Sequence, residues 1–280
     1  SIAGAKAILG VPDAVWVGAA SGAIPIDTKT NKAGERIASL QAPCAGLATG
    51  FNSTWVPDCT DGAILRLAPK TNEKKTAVAS GAAAVMQGIA ASDDSIWALT
   101  DGKGTLSRID PETAKIVAET RLPAGCTSVI HAEKSLWVTC PSTGEVLRLN
   151  PLTNLVDKRI EVTGGPRSVV FADGSIWVLG GENGKVSKVD VKTNKVAASV
   201  DLQIPGAEGE ITAGAGSIWV TAKGFPLSRI DPKTDQVMQQ FAGVGGGALR
   251  FGANALWLVN TESQTVWRVD PKRVLATFAE

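Results

Sequence analysis

The stretch ADGSIWVLGGENGKVSKVDVKTNKV, residues 172–196, contains both signatures that decide the fold. The first is a serine, an aliphatic residue, a tryptophan and another aliphatic residue, here Ser175 to Val178. The second, about ten residues later, is a basic residue, an aliphatic residue and an aspartate, with a threonine three residues further on, here Lys188 to Thr193. The tryptophan recurs at spacings of 39, 42, 40, 40, 42 and 38 residues, at Trp16, Trp55, Trp97, Trp137, Trp177, Trp219 and Trp257. The chain therefore contains seven copies of a unit of about 40 residues, a period typical of solenoids and propellers.

Each copy predicts four short β-strands. In the copy around Trp177 we place them at residues 167–171, 175–179, 185–190 and 195–202. The pair Asp173-Gly174 suits a tight turn between the first two strands, because glycine accepts a positive φ without steric cost. The aspartate of the second signature turns the third strand into the fourth, since its side chain caps such turns. Polar and apolar residues alternate with period two, and the sequence shows no sustained 3.6-residue period.

The way such units stack decides between the repeat architectures. A four-stranded unit cannot cover both of its faces alone, but seven sheets arranged radially cover one another and leave only short edges. We therefore predict an all-β, seven-bladed β-propeller with four antiparallel strands per blade, formed by residues 1–280 as a single domain. The alternative is a parallel β-solenoid, whose repeats are usually shorter. The first copy begins with an inner strand at about Ala5 and the last ends with an outer strand at about Phe278, so no strand exchange between the ends is expected.

The repeated unit, Ser-Ile-Trp-Val followed by Arg-Ile-Asp-Pro-x-Thr, resembles that of the YVTN/NHL-type bacterial propellers. From about Lys6 to Ala276, nearly the whole chain, it is most similar to the branch that includes streptogramin (virginiamycin B) lyase. The resemblance implies the propeller fold. It also implies that lyase activity in that family depends on histidine and glutamate side chains with bound Mg²⁺ in the central channel. This chain has one histidine, His131, and no residue-by-residue match to that set, so the catalytic function is not carried across.

The four cysteines fall at matching places in two copies of the repeat. Cys44 and Cys126 each stand 11 residues before a tryptophan, whereas Cys59 and Cys140 follow those tryptophans by four and three residues. One cysteine of each pair thus starts a first strand and the other ends the antiparallel second strand, which brings their Cα atoms within disulfide range. We predict the disulfides Cys44–Cys59 and Cys126–Cys140; the alternative is a metal site, for which the pairs must converge or recruit further ligands. Because disulfides persist in oxidising compartments, we expect a periplasmic or secreted protein.

A ligand site is expected where the seven copies differ, because the shared residues explain the architecture. In a propeller the start of the first strand and the end of the second strand open on one face, at the mouth of the central channel, and a concave polar mouth is the default site for a small ligand. The polar residues that vary at these places are Lys6, Asp58, Gln87, Asp101, Arg167, Glu182, Glu208, Glu210, Lys223, Arg250, Asn260 and Glu262. Arg167 and Arg250 on either side of Glu210 suit an anionic or sugar-like ligand, because arginine presents a planar fork of donors. The alternative is a water-filled channel with balanced charges and no specific ligand.

Residues that recur in the copies receive structural interpretations instead. We expect the seven tryptophans to pack between sheets. We expect the basic residue of the second signature to form a solvated outer rim, at Arg66, Arg108, Arg148, Lys188, Arg229 and Arg268. Trp267 lies outside the series, in a third strand, where it is either a half-buried packing residue or an exposed aromatic contact.

Charge and composition narrow the classes of function. The formal net charge is +1 with both signs mixed along the chain, which does not predict nucleic-acid binding. No apolar run approaches 18 residues, so no membrane span is expected. The leading interpretation is an exported, monomeric, non-catalytic scaffold that binds a protein partner or a small molecule at the channel mouth. The alternative is a metal-dependent lyase or lactonase-type enzyme with Glu210 or Asp58 as base. No cofactor is otherwise expected, although channel oxygens are suitable ligands for Ca²⁺ or Mg²⁺.

Overall fold

The computed structural model describes residues 2, 4–10, 14–19, 22–44, 46–81, 85, 88–204, 206 and 209–276, which form a ring of seven antiparallel sheets. The predicted seven-bladed β-propeller is confirmed. The strands, in chain order, are β1 (Ala5–Gly10), β2 (Val15–Ala19) and β3 (Gly22–Ile26) in blade 1; β4 (Ala48–Gly50), β5 (Ser53–Asp58), β6 (Ala63–Leu67) and β7 (Lys74–Ala79) in blade 2; β8 (Ile89–Ala91), β9 (Ile96–Leu99), β10 (Thr105–Asp110) and β11 (Lys115–Arg121) in blade 3; β12 (Ser128–Ala132), β13 (Ser135–Cys140), β14 (Glu145–Asn150) and β15 (Leu155–Glu161) in blade 4; β16 (Pro166–Ala172), β17 (Ser175–Gly180), β18 (Lys185–Asp190) and β19 (Lys195–Asp201) in blade 5; β20 (Ile211–Gly214), β21 (Ser217–Ala222), β22 (Phe225–Asp231) and β23 (Gln236–Phe241) in blade 6; and β24 (Leu249–Gly252), β25 (Ala255–Asn260) and β26 (Thr265–Val269) in blade 7. A 3₁₀ turn at Pro141–Thr143 and one helix, α1 (Pro271–Ala276), complete the regular structure of the described residues.

The first strand of each blade lies nearest the ring axis. First strands of neighbouring blades contact one another, as β12 contacts β8 and β16, and β24 contacts β20 and β1. Consecutive strands then pair outward in antiparallel order. The turn between the first two strands of blade 5 is Asp173-Gly174 as predicted, and both residues have positive φ, 49° and 70°. The start of each first strand therefore lies beside the end of the second strand, on one face of the ring.

The repeated tryptophans join the blades. The buried apolar residues of the described chain group into seven clusters, each combining the tryptophan of one blade with residues of the next. Trp137 of blade 4, for example, packs with Val178 of blade 5. Trp257 of blade 7 packs with Val15 and Val17 of blade 1, which closes the ring. The prediction that these tryptophans pack between sheets is confirmed.

The prediction that the basic residues of the second signature form a solvated rim was wrong for blades 2–6, where these residues are half-buried, whereas Arg268 of blade 7 is exposed. Arg148 lies directly opposite Trp137 in the ladder, so both side chains share a face, and the guanidinium carbon is 5.0 Å from the ring centre. Its Nε donates to Ser135 Oγ at 2.9 Å, while its Nη1 donates to Val191 O at 2.8 Å and Asn194 Oδ1 at 2.9 Å in blade 5. The same stacking on the blade tryptophan recurs at Arg66, Arg108, Lys188 and Arg268. At Arg108, Arg148 and Lys188 the cation therefore binds its own blade to the next one.

Blade 1 replaces the predicted fourth strand with an irregular segment. Residues 32–37 run beside β3 without forming a continuous ladder. Gly34 N donates to Pro25 O at 2.8 Å and Ile37 N donates to Ala23 O at 2.9 Å. The outer side of this blade is thus covered, although by a segment that is not a regular strand.

Blade 7 departs further from the prediction, because helix α1 follows β26 where an outer strand ending at about Phe278 was expected; Phe278 lies outside the described residues. In blades 1 and 3–6 the turn after the third strand passes through a residue with positive φ four places after the aspartate or asparagine, such as Asn194 at 57°. The corresponding residue here is Val274, and a β-branched side chain disfavours positive φ. Asp270 Oδ1 accepts a hydrogen bond from Lys272 N at 2.9 Å, and the chain continues as a helix.

Both predicted disulfides are present. Cys44–Cys59 and Cys126–Cys140 each connect the segment before a first strand to the end of the second strand, with Cα–Cα distances of 5.7 and 4.0 Å. All four cysteines are used in these bonds, so the alternative of a cysteine metal site is excluded. In the part of the chain that the structure describes, no helix has the length and apolar character needed to cross a membrane.

Candidate functional site

A cavity of about 800 Å³ lies on the face where the first strands begin. Its walls come from the starts of β1, β16, β20 and β24, from the ends of β21 and β25, and from the segment before β4. Six of the residues predicted at the channel mouth line it, namely Lys6, Arg167, Glu210, Lys223, Arg250 and Glu262. The fold thus brings together residues that are up to 256 positions apart in sequence.

Lys6 and Arg167 are placed by β-bulges at the same position of the repeat. Each stands ten residues before the tryptophan of its blade. The pairing of β1 with β2 shifts register across Lys6, and the pairing of β16 with β17 shifts register across Arg167, so both are the extra residues of a bulge. A bulge leaves its extra residue outside the ladder and redirects the side chain. The local register therefore explains how two cations of different blades come to line one cavity.

The backbone of Arg167 is fixed by blade 4. Its carbonyl oxygen accepts hydrogen bonds from the hydroxyls of Thr127, Ser128 and Thr139, at 2.7, 3.1 and 3.0 Å. The side chain differs, because Nε of Arg167 is buried and has no hydrogen-bond partner among the described residues. A buried donor without an acceptor costs free energy, so an oxygen ligand that reached it would be stabilised.

Glu210 and Arg250 form an ion pair between blades 6 and 7. Nη1 of Arg250 donates to Oε2 of Glu210 and, at 2.7 Å, to the carbonyl of Leu249. The amide of Leu249 donates to the same carboxylate oxygen at 3.2 Å. The side chain of Arg250 is 17% exposed and that of Glu210 is 12% exposed. Arg250 lies opposite its blade tryptophan. The other described ladders place small or apolar residues or a threonine there, namely Gly10, Ala48, Ala90, Ile130, Val170 and Thr212.

The cavity has an excess of positive charge. Its described lining holds four cationic side chains, those of Lys6, Arg167, Lys223 and Arg250, against the carboxylates of Glu210 and Glu262. Since Glu210 is paired with Arg250, three cations face one remaining carboxylate. Low-dielectric walls around charges of one sign concentrate the field and favour a ligand of opposite charge. The electrostatics of the cavity therefore suit an anion.

Backbone rather than side chains forms another part of the wall. Gly209 and residues 245–247, a run of three glycines, line the cavity. A Cβ built on Gly246 would lie 2.4 Å from the carbonyl oxygen of Ala222, and the φ of Gly246 is 123°. Only glycine fits there, so this wall brings the main chain close to whatever occupies the cavity. These glycines and the segment at Pro43 and Cys44 were not among the residues predicted at the channel mouth, although three consecutive glycines are visible in the sequence.

Six predicted mouth residues do not belong to the described cavity lining. Asp58 is 2% exposed, and its carboxylate accepts hydrogen bonds from the amides of residues 41, 42 and 60. Asn260 is also 2% exposed and binds the backbone of residues 244, 262 and 263. The amide of Glu182 donates to Gly164 O at 3.0 Å, outside that lining. The carboxylate of Asp101 accepts hydrogen bonds from the amides of residues 103 and 105, at 3.0 and 2.9 Å. Gln87 and Glu208 lie outside the described residues.

The residues present do not fit a divalent cation. Within the described ranges no three histidine, cysteine, aspartate or glutamate side chains lie together as metal ligands would. Ca²⁺ and Mg²⁺ require several oxygen ligands, and the excess of cations in the cavity opposes their binding. The two carboxylates considered as catalytic bases already have partners. Asp58 accepts hydrogen bonds from backbone amides, and Glu210 forms an ion pair with Arg250.

No protein-family model matches the sequence, and no curated protein matches it. Solved structures do resemble it. The virginiamycin B lyase of Staphylococcus aureus is 17% identical over 95% of this chain and 94% of that chain, with a TM-score of 0.77. The Kuenenia stuttgartiensis hydrazine synthase is 13% identical over 96% of both chains, with a TM-score of 0.77. BamB from Moraxella catarrhalis is 16% identical over 94% of this chain and 85% of that chain, with a TM-score of 0.66. At these identities the likeness shows the β-propeller fold alone.

Proposed function

We propose that this protein is an exported, monomeric, non-catalytic scaffold that binds a small anionic molecule in the channel-mouth cavity. The observation that carries the proposal is a cavity of about 800 Å³ with a cationic lining, in which Nε of Arg167 has no acceptor among the described residues. Cavities of roughly 300–1,000 Å³ are the usual size for small-molecule sites. The ligand class is a carboxylate or phosphate compound, because the guanidinium fork matches these groups.

The rigidity of the frame supports a binding role. The carbonyl of Arg167 is held by three hydroxyls, and the ion pair of Glu210 and Arg250 is held by the backbone of Leu249. Side chains that start from fixed backbone lose less entropy when a ligand arrives. A concave site of this kind favours a small molecule over a protein partner, which would bind the outer surface.

Export is supported by the two disulfides, since such bonds persist in oxidising compartments. Both lie on the face that carries the cavity, and Cys44 is part of the cavity wall. The Cys44–Cys59 bond therefore stabilises the irregular segment before β4 as one side of the site. Fractionation of cells that express the full gene, followed by alkylation without reductant, tests the compartment and the bonds together.

Isothermal titration calorimetry with phosphate, sulfate, dicarboxylates, tricarboxylates and sugar acids tests the ligand class. We expect Arg167→Ala to weaken binding of the best anion by about 10- to 100-fold, because hydrogen bonds to charged groups are worth roughly 1.5–3 kcal/mol. Binding should also weaken as salt is raised. The matched control is Arg159→Ala, which removes the same charge from an outer strand, where the side chain is 53% exposed.

Two results would contradict the proposal. One is an equal loss of affinity in Arg167→Ala and Arg159→Ala, which would mean that only the overall charge matters. The other is binding confined to neutral or cationic compounds. Sedimentation velocity on the same samples tests the monomeric state, with and without the anion.

A further inference from the structure

The two cations placed by bulges lie on opposite sides of the channel mouth. Lys6 belongs to blade 1 and Arg167 to blade 5, and both stand near the start of the first strand, which is the strand nearest the ring axis. Through the contacts of β16 with β20, of β20 with β24 and of β24 with β1, the two blades are three steps apart. No two blades of a seven-membered ring are further apart. The cavity therefore has a cation on each of two opposite sides.

Neither of these cations has a counter-ion within the described part of the chain. The ion pairs there join other residues, and the cavity carboxylate Glu210 is paired with Arg250. The two other charged groups of the lining, on residues 223 and 262, are exposed beyond the ends of second strands and have opposite signs. Four cations against two carboxylates leave two positive charges, and this balance locates them at Lys6 and Arg167.

The wall between the two cations has no net charge. It comes from blades 6 and 7, where Gly209 and residues 245–247 bring the main chain to the cavity and Glu210 neutralises Arg250. The charge along the cavity is thus positive, neutral and positive again. A single small anion held by Arg167 would leave Lys6 without a partner on the far side, because a direct hydrogen bond spans only about 3 Å.

We propose that the ligand has two anionic groups, one at each end of an uncharged middle. One group binds the guanidinium of Arg167, including its buried Nε, and the other binds the ammonium of Lys6, while the middle lies along the glycine wall. This assignment rests on the proposed anion site and adds the number and the placement of the ligand's charges. Because the two groups are joined, binding of the second is intramolecular and adds affinity without a second association cost.

Calorimetric titration with linear α,ω-dicarboxylates, from succinate to sebacate, measures the effect of the second anionic group. Each diacid is compared with its monoamide, which has the same length and a single charge. We expect one length to bind at least about 10-fold more tightly than its monoamide, because a hydrogen bond to a charged group contributes one to two factors of ten in affinity. Alkylene bisphosphonates of the same lengths distinguish phosphate from carboxylate end groups.

The Lys6→Ala variant separates the two ends of the ligand. Lys6 is exposed and is the extra residue of a bulge, so the loss of its side chain leaves the strand pairing intact. We expect Lys6→Ala to remove the advantage of the diacid over the monoamide and to leave the affinity for the monoamide nearly unchanged, whereas Arg167→Ala weakens both. The matched control is Lys158→Ala, which removes the same charge from an exposed position of β15 and should change neither affinity.

Two results would overturn the two-ended ligand and leave the anion site standing. One is that no diacid or bisphosphonate binds more tightly than its singly charged analogue, although Arg167→Ala weakens the binding of both. The other is an equal loss of affinity for diacid and monoamide in Lys6→Ala, which would mean that Lys6 acts only through the overall charge of the cavity. Absence of any Arg167-dependent binding in these series would overturn the proposed function and this inference with it.

Discussion

Replacement of Arg148 by methionine measures how strongly the repeated cation joins neighbouring blades. The change removes three hydrogen bonds, one to Ser135 in the same blade and two to Val191 and Asn194 in the next blade, and it removes the charge above the Trp137 ring. Each hydrogen bond is worth about 1 kcal/mol net and the ring contact about as much, while the apolar stem of methionine restores roughly 1 kcal/mol. We therefore expect the free energy of unfolding to fall by about 3 kcal/mol.

The assay is urea unfolding followed by far-ultraviolet circular dichroism. An unchanged m value shows that only the free energy of unfolding has changed. Arg159→Met is the matched control, because Arg159 makes an exposed ion pair with Glu145 at 3.1 Å, and such pairs contribute about 0–1 kcal/mol. Asn194→Ala combined with Arg148→Met should deviate from additivity by at least about 0.5 kcal/mol, since the two residues touch across the blade boundary. Equal losses in the two arginine variants would refute the reasoning.

Two further predictions concern the turns. Lys134 has a φ of 56° in an exposed hairpin turn, so Lys134→Gly should relieve backbone strain and raise the free energy of unfolding by about 0.5–1 kcal/mol; a lower urea midpoint would contradict this. The pKa of Asp190 is held below its ordinary value of 3.8 chiefly by the hydrogen bond from the amide of Thr193. A carboxylate whose pKa is lowered by folding stabilises the folded protein, and this contribution is complete above about pH 4. The contribution is lost as the pH falls through the lowered pKa. Asp190→Asn should therefore leave Tm at pH 7 nearly unchanged, as Asn150 makes the same turn naturally, and should flatten the fall of Tm below about pH 4.

The fold was predictable because the period of the repeat carries most of the information about it. The tryptophan spacing determines the number of sheets, and the aspartate turns determine where strands end. The wrong predictions concern single positions of the repeat. Val274 occupies the place that Asn194 occupies in blade 5, and the loss of positive φ turned an expected strand into a helix. The role of Arg148 was missed for a different reason, because only the register shows that it faces Trp137.

The location of the site was easier to predict than the residues that line it. Strand order alone places the channel mouth at the starts of the first strands, and the cavity lies there. Which polar residues line it depends on hydrogen bonds that spacing does not reveal. Asp58 and Asn260 vary among the copies as ligand-contacting residues do, yet both are buried and bind loop backbone. Variation within a repeat therefore identifies residues with a local task, which is either contact with a ligand or support of the loop that makes the contact.

The two bulges suggest how a repeat protein acquires an asymmetric site without losing its frame. A residue inside the ladder has its direction set by the pleat, and the charge that Arg250 carries at such a position is paired with Glu210. The extra residue of a bulge is released from that constraint, so Lys6 and Arg167 can carry charge while the strands around them keep their pairing. At the corresponding position of blades 6 and 7 the chain has Gly209 and Gly247, which add no side chain. The cations make one part of the cavity wall polar, and the glycines leave room beside them because they have no side chains. Charge and free space together form the proposed anion site.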